Sequence, residues 1–372
     1  MAAQPCRVVR RLAANPLLAA CVLLAACGSQ QRAQKVPAVS VSAGDDYSCG
    51  ALNNGRVRCW GTKAVEVVGV SGATSVAASY ERACAVVVDG RVSCWVSRDP
   101  SRPRGSQLRD PMSAKGVAGV ADAVSVSVGS RIACALTSAG AVRCWSLSVG
   151  VDPAASETSG SSVATIPGLG RVVAMSGIPL DYACAVNAGG AVWCFYPDQF
   201  AAGVPNEATP PSKVVGIQDA VAVARGRNHA CALLRNGGVR CWGDGAMGQL
   251  GNGATRDSPD PVIVEGVQNA VGIAAGGNET CVVLREGEVM CWGDDSFGVL
   301  GTGHYNGVQT PTPNPSYVRK ITSAVAVTIG ENAHACALLT AGAVTCWGNN
   351  VAGQLGNGAT DGSAEPIAVT VI

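Results

Sequence analysis

Seventeen cysteines carry most of the chemistry available to this 372-residue chain. A cysteine can attack an electrophile, hold zinc or form a disulfide, and spacing separates these uses. Setting aside Cys6, Cys21 and Cys27 leaves Cys49 with Cys59, Cys84 with Cys94, Cys134 with Cys144, Cys184 with Cys194, Cys231 with Cys241, Cys281 with Cys291 and Cys336 with Cys346, each pair separated by nine residues. Zinc sites draw their cysteines from much closer pairs, about two to four residues apart. A disulfide framework is therefore expected, and it leaves no repeat thiol for nucleophilic catalysis. His229 and His334, two of the three histidines, share one repeat position, two before the first cysteine. The other copies carry Tyr47, Arg82, Ile132, Tyr182 and Glu279 there. That variety predicts a partly exposed strand residue rather than a general base. Asp244, Asp294 and Asn349 follow a Trp-Gly pair, where a short polar side chain caps a turn. G-x-S-x-G, P-loop, H-E-x-x-H and S-x-D-x-G patterns are not found, so the sequence predicts no catalytic residue, metal or cofactor.

Hairpins are the elements that can hold such cysteine pairs. Residues facing each other across an antiparallel ladder have Cα atoms about 4.5 to 5.5 Å apart, within reach of a disulfide. Nine intervening residues place two cysteines opposite one another when the turn has an odd number of residues. A three-residue turn wants a positive φ at its third position, usually glycine. Gly55, Gly90, Gly140, Gly190, Gly237, Gly287 and Gly342 lie six residues past the first cysteine in all seven copies. The turns expected are Asn53-Asn54-Gly55, Val88-Asp89-Gly90, Arg235-Asn236-Gly237 and their counterparts. An aromatic follows every second cysteine: Trp60, Trp95, Trp145, Phe195, Trp242, Trp292 and Trp347. Neighbours on a strand face opposite sides, so cystine and aromatic belong to opposite faces of each sheet, the aromatic in the core. An alternating strand precedes each first cysteine, as in Val221-Ala222-Val223-Ala224-Arg225-Gly226, and a fourth shows best as Pro261 to Val264. Seven copies of four short strands predict an all-β, seven-bladed β-propeller over residues 36–372.

Asn228-His229-Ala230-Cys231-Ala232-Leu233-Leu234, Gly238-Val239-Arg240-Cys241-Trp242-Gly243 and Gly248-Gln249-Leu250-Gly251-Asn252-Gly253 resemble the regulator-of-chromosome-condensation repeat. Cys346-Trp347-Gly348 and Gly353-Gln354-Leu355-Gly356 repeat the match in the last copy. The resemblance is specific in copies five to seven; copies one to four keep the hairpin and lose the Gly-Gln-Leu-Gly segment. It implies the propeller fold. The family's eukaryotic founder is a nucleotide exchange factor that binds chromatin, an activity not expected of an exported, disulfide-bonded chain. Pro366 to Ile372 align with Pro261 to Val267, and Val36 to Gly44 with Gln268 to Gly276, so the C-terminal strand is expected to close the ring by completing the first blade.

Residues 1–26 read as a signal: Arg7, Arg10 and Arg11, then the apolar run from Leu12 to Leu23, then Leu24-Ala25-Ala26-Cys27, which looks like a bacterial lipobox. Lipidation of Cys27 is expected, with 27–35 as a polar tether and the protein lipid-anchored in the bacterial cell envelope, facing periplasm or exterior. Only 14% of residues are charged and the net charge is +1, which offers no basic field for nucleic acid. Binding loops are sought where the repeat is lost: Val96 to Pro111 with Arg98, Arg102, Arg104 and Arg109, then Ser146 to Pro167 and Tyr196 to Pro211. The function expected is a non-enzymatic, monomeric scaffold recognising an unknown protein or glycan. A secreted inhibitor-like propeller and a carbohydrate-active enzyme are the alternatives.

Overall fold

The computed structural model describes residues 36–98, 107–147, 163–178, 181–201, 208–304, 308 and 310–370. The expected leader and tether, with Cys27, lie outside them, as do Arg102 and Arg104. Residues 36–372 form one compact unit, and among the described residues no helix is long and apolar enough to cross a membrane.

Each repeat folds at its hairpin first. In blade one, Leu52 N donates to Arg56 O and Gly55 N to Leu52 O, leaving Asn53-Asn54-Gly55 as the turn. Gly55 has φ +78°, and the six equivalent glycines lie between +75° and +89°. An added Cβ at Gly90 would meet Ala121 O at 2.8 Å, so glycine is required there by space as well as by φ. Because Leu52 and Arg56 are a hydrogen-bonded pair, alternation makes Cys49 and Cys59 a non-hydrogen-bonded one, the closer kind. The same opposed positions are bridged in the other hairpins, where Cys84 is joined to Cys94, Cys134 to Cys144, Cys184 to Cys194, Cys231 to Cys241, Cys281 to Cys291 and Cys336 to Cys346. These are the pairs that the nine-residue interval predicts. Across all seven bridges the Cα atoms lie 3.9 to 4.1 Å apart, somewhat closer than the ladder spacing expected from the sequence.

Among the described residues the strands form seven sheets, each beginning with four strands in sequence order. Blade five runs Ala220–Arg225, His229–Leu234, Val239–Gly243 and Ser258–Ile263. Every first strand carries a bulge after its first residue, as between Ala220 and Ala222, where alternation alone predicts regular pairing. Such an extra residue bends and twists the strand. Blade one gains a fifth strand, because Met112–Ser113, from the long connection of blade two, pairs parallel with Ala64–Val68.

The core lies between blades. The cystine of each blade packs beside the aromatic of the next: Cys49 and Cys59 with Trp95, Cys84 and Cys94 with Trp145, Cys134 and Cys144 with Phe195, and onward to Cys281 and Cys291 with Trp347. Cys184 and Cys194 of blade four have the half-buried Trp242 against their cluster, and Cys231 and Cys241 of blade five have Trp292. Cys336 and Cys346 of blade seven meet Trp60 of blade one, which completes the ring. The closing arrangement corrects one expectation. The C-terminal strand, Ser363–Ala368, pairs with Val344–Gly348 and completes the seventh blade, not the first. Blade one has no vacancy, since only residues 61–63 separate Val57–Trp60 from its own fourth strand, Ala64–Val68. The C-terminal strand thus closes the ring by finishing the blade that packs on Trp60, to whose cluster Val369 adds its side chain.

The first strands of all seven blades surround a central cavity of about 260 Å³.

Candidate functional site

Antiparallel order puts the loops between first and second strands at the same end of each blade as the connections between third and fourth strands. The irregular connections of blades two, three and four therefore emerge together on one face of the ring, beside the first loops that carry most of the buried ionisable groups.

Arg98 opens the blade-two connection, but it is not a free contact group. Its Nη1 lies 2.6 Å from Asp46 Oδ2, both side chains almost fully buried. Asn332 Nδ2 donates to the other oxygen of Asp46 at 2.6 Å, so one carboxylate ties blade one to blades two and seven. Sequence reasoning placed Arg98 outward because its neighbours are Pro, Ser and Gly; Asp46, 52 residues earlier, is what draws it in. Arg109 is half-buried, and its N donates to Ser97 O at 2.9 Å, pinching the base of the loop. Leu108 and Met112 are buried against the blade-one core. The connection is thus anchored at both ends.

The position two before the first cysteine is also buried, contrary to the partial exposure expected for it; only Tyr182 is half-exposed. Burial arises because that residue is covered by the following blade. His229 Nε2 lies 2.8 Å from Thr280 Oγ1, and His334 Nε2 3.0 Å from Ser48 Oγ. Those hydroxyls donate onward to Gln249 O and Gln354 O, so each imidazole donates through Nε2. Burial holds His229 down to about 3 and His334 to about 4, both neutral. A Cβ on Gly226 or Gly330 would come within 2.2 or 2.5 Å of the imidazole Cε1, which is why the residue before each loop is glycine. Glu279 is 3% exposed, and burial, reinforced by the charges of Asp294 and Glu331, pushes its carboxyl well above the usual range. Tyr47 donates to the carbonyls of Ser79 and Arg82 at 2.8 Å, and burial raises its phenol. These groups bind blades together.

The turn positions act as expected. Asp244, Asp294 and Asn349 accept from the N-H groups of Ala246, Ser296 and Val351. Asp295 and Asn350, one residue on, were not anticipated; they accept from Leu300 N and Leu355 N across the same turns. Among the described residues no group of three or more His, Cys, Asp or Glu converges as metal ligands do.

Among the described residues, blades four and five bring an aromatic pair and an arginine together on this face. Tyr182 and Tyr196 flank the blade-four cystine of Cys184 and Cys194 and stack with ring centroids 4.4 Å apart, and the Arg225 guanidinium lies 4.3 Å from the Tyr182 centroid. Tyr196 is 46% exposed. The sequence did hold a signal, since Tyr196 stands where four other copies have Gly61, Gly243, Gly293 and Gly348. Nearby, Arg131 donates through Nε to Asp181 at 2.8 Å.

The regulator of chromosome condensation (RCC1) repeat matches at residues 38–62, 220–249, 270–299 and 324–354, and a second form of it at 236–283. No curated protein matches the chain. Yeast RCC1 (Prp20) solved with Kap60 shares 18% identity at TM-score 0.61, over 81% of this chain and 74% of that one. Prp20p of Saccharomyces cerevisiae, solved with a study of its binding to Gsp1p and histones, gives 17% and 0.57 over 81% and 76%. Human WBSCR16 gives 19% and 0.57 over 91% and 83%. One matched repeat at the start of the ring and three at its end, joined by blades of four strands that fill the interval without a gap, make this an all-β, seven-bladed propeller with RCC1 repeats.

Proposed function

We propose that the chain is a non-enzymatic binding scaffold of the bacterial cell envelope, held to a membrane by lipid on Cys27, that docks a protein on the loop face of blades two to four. One observation carries the reading: three consecutive blades, two to four, carry long irregular connections on the same face, next to the Tyr196-Tyr182-Arg225 stack, while their hairpins keep the cystine and the inter-blade core. Exposed tyrosine beside arginine is the composition of interface hot spots. Solved chains of this fold include one bound to Kap60 and one described by its binding to Gsp1p and histones, which supports a protein as the kind of partner.

The buried Arg98 and Leu108 fix what can be tested. Residues 99–106 are replaced by a short Gly/Ser linker, leaving both anchors, and Tyr196→Ala is made separately. Photo-crosslinking from the loop face in the protein's own cells, with identification of the captured chain, should give one partner. Tyr196→Ala should lose it with an unchanged melt; capture retained by both variants overturns the docking face. In the same cells Cys27→Ala should move the protein from the membrane fraction to the soluble one.

A further inference from the structure

We propose that the hairpin end of the ring, opposite the loop face, rests on a lipid surface through a circle of valines. Every first strand bulges after its first residue, and the residue left out of the ladder is Val39, Thr74, Val124, Val173, Val221, Val271 or Val325. Val39, Val124, Val173, Val271 and Val325 are 44 to 54% exposed. Thr74 shows that the bulge accepts a polar branched side chain, so strand geometry alone does not call for an apolar one. The first strands surround the central cavity and start at the hairpin end, which sets these valines in a circle round it. A single exposed valine needs no explanation, but one recurring at the same place in successive blades makes a surface.

Neighbouring residues extend that surface. Val88 stands in a hairpin turn and Val215 in the connection from blade four to blade five, at the same end, 78 and 79% exposed. Between blades one and two a groove of about 420 Å³ is lined by Val39, Leu52, Thr74, Val88 and the turn Asn53-Asn54-Gly55. The exposed arginines Arg56, Arg91 and Arg319 are paired with Glu66, Asp89 and Glu365. The contact offered is therefore apolar, without the cationic cluster that anionic headgroups require.

The place where the chain enters the ring identifies the occupant. Asn53 N donates to Pro37 O and Ala38 N to Gly342 O, both at 2.8 Å, so residues 37 and 38 are held between the hairpin turns of blades one and seven, beside the groove. What lies beyond rests on the lipid at Cys27 proposed above. From Cys27 to Val36 is nine residues, which reach at most about 32 Å when fully extended. A contact too weak to hold a free protein suffices for one on so short a tether, because its effective concentration is on the order of millimolar. With the hairpin end on the bilayer, the loop face is turned outward to its partner.

The test uses residues 27–372 coupled through Cys27 to a maleimide lipid in phosphatidylcholine vesicles, which makes it independent of lipidation in cells. Val271→Trp and Val351→Trp place a tryptophan on the hairpin end and on the loop face, each read as the difference from the parent chain with its seven tryptophans. Brominated acyl chains should quench the added emission of Val271→Trp and leave that of Val351→Trp unchanged. Val39→Ser, Val124→Ser, Val173→Ser and Val325→Ser, added together to Val271→Trp, should abolish the quenching without changing the melt, since these side chains are exposed. The proposal is overturned if Val271→Trp is not quenched, if both positions are quenched equally, or if quenching survives the serines. It is also overturned if the uncoupled protein sediments as a dimer that the serines dissociate, because the valines then belong to a second copy. Selective quenching of the coupled protein beside a Cys27→Ala that stays in the membrane fraction of cells would support the contact and refute the lipidation alone.

Discussion

A buried carboxylate such as Asp46 shows how much one residue can carry. It accepts from Arg98 at 2.6 Å and from Asn332 at 2.6 Å, on elements far apart in sequence. Removing one member of a buried pair strands the other, so Arg98→Ala should cost about 3 to 5 kcal/mol in denaturant unfolding, far more than an exposed pair such as Arg56 with Glu66. His334 sets a dependence on pH. Its unfolded value lies near 6.5 and its folded value is held to about 4, so the unfolded state binds the extra proton between them. Stability from this residue is complete above about pH 6.5 and is lost as pH falls towards 4. Glu279 has the opposite sign: its raised carboxyl favours the folded state at low pH and works against it as pH rises. His334→Gln should therefore flatten the acid limb of a melting-temperature profile measured between pH 4 and 7 while leaving the alkaline side as it was. An acid limb identical in the two proteins would show that His334 contributes nothing to it.

At the scale of the element, the Gly-Gln-Leu-Gly segment explains why copies one to four differ from the rest. Gln249 O accepts from Trp292 Nε1 at 2.9 Å, Val299 O from Trp347 Nε1 at 2.7 Å, and Gln354 O from Trp60 Nε1 at 3.0 Å. In each case the segment of one blade caps the tryptophan of the next. Blades one and two lack the segment, and among the described residues Trp95 and Trp145 Nε1 are buried without a partner. Blade three also lacks it, and the aromatic that follows is Phe195, which has no N-H to satisfy; after blade four comes Trp242, which is half-buried. A lost hydrogen bond costs about 1 kcal/mol, whereas deleting a donor that has none costs little. Trp347→Phe should lower stability by about that amount, and Trp145→Phe should be neutral or slightly stabilising, apart from the shared loss of ring area. Equal losses in the two variants, read by denaturant unfolding, would mean that the segment does not cap.

Residues 36–372 form a closed series of equivalent contacts between blades, and their stability depends on the seventh contact being made. Trp60, Leu52 and Ala38 of blade one pack on Cys336, Leu338 and Cys346 of blade seven, with Val369 beside them. Ala38 N donates to Gly342 O and Ala43 N to Thr328 Oγ1 across the same junction. Deleting residues 363–372 removes the strand opposite Val344–Gly348, exposes a sheet edge and takes Val369 from the closing cluster. The melting temperature should fall markedly, and hydrogen exchange should rise at the junction of blades one and seven before it rises at blades three and four. Uniform exchange with an unchanged melt would count against closure at this contact.

Local order was written in the chain. A fixed interval between cysteines, glycine at a constant offset and an aromatic after each second cysteine define a hairpin with one geometry, because turn length and strand alternation leave little choice. Repetition of that hairpin seven times made the propeller legible, and the turns Asn53-Asn54-Gly55 and Arg235-Asn236-Gly237 form as their residues require. Which blade the last strand joins, and which way Arg98, His229 and Glu279 point, were decided elsewhere. Their partners Asp46, Thr280 and the covering surface of the next blade lie about fifty residues away, and no local rule relates the two. Arg98 reads as a loop cation until Asp46 is brought beside it, and Arg225 reads as a strand end until the Tyr182 ring of the preceding blade is brought against it. Burial of charge and the space left at the centre are properties of the closed ring, and they exist only once every blade has been placed against its neighbours.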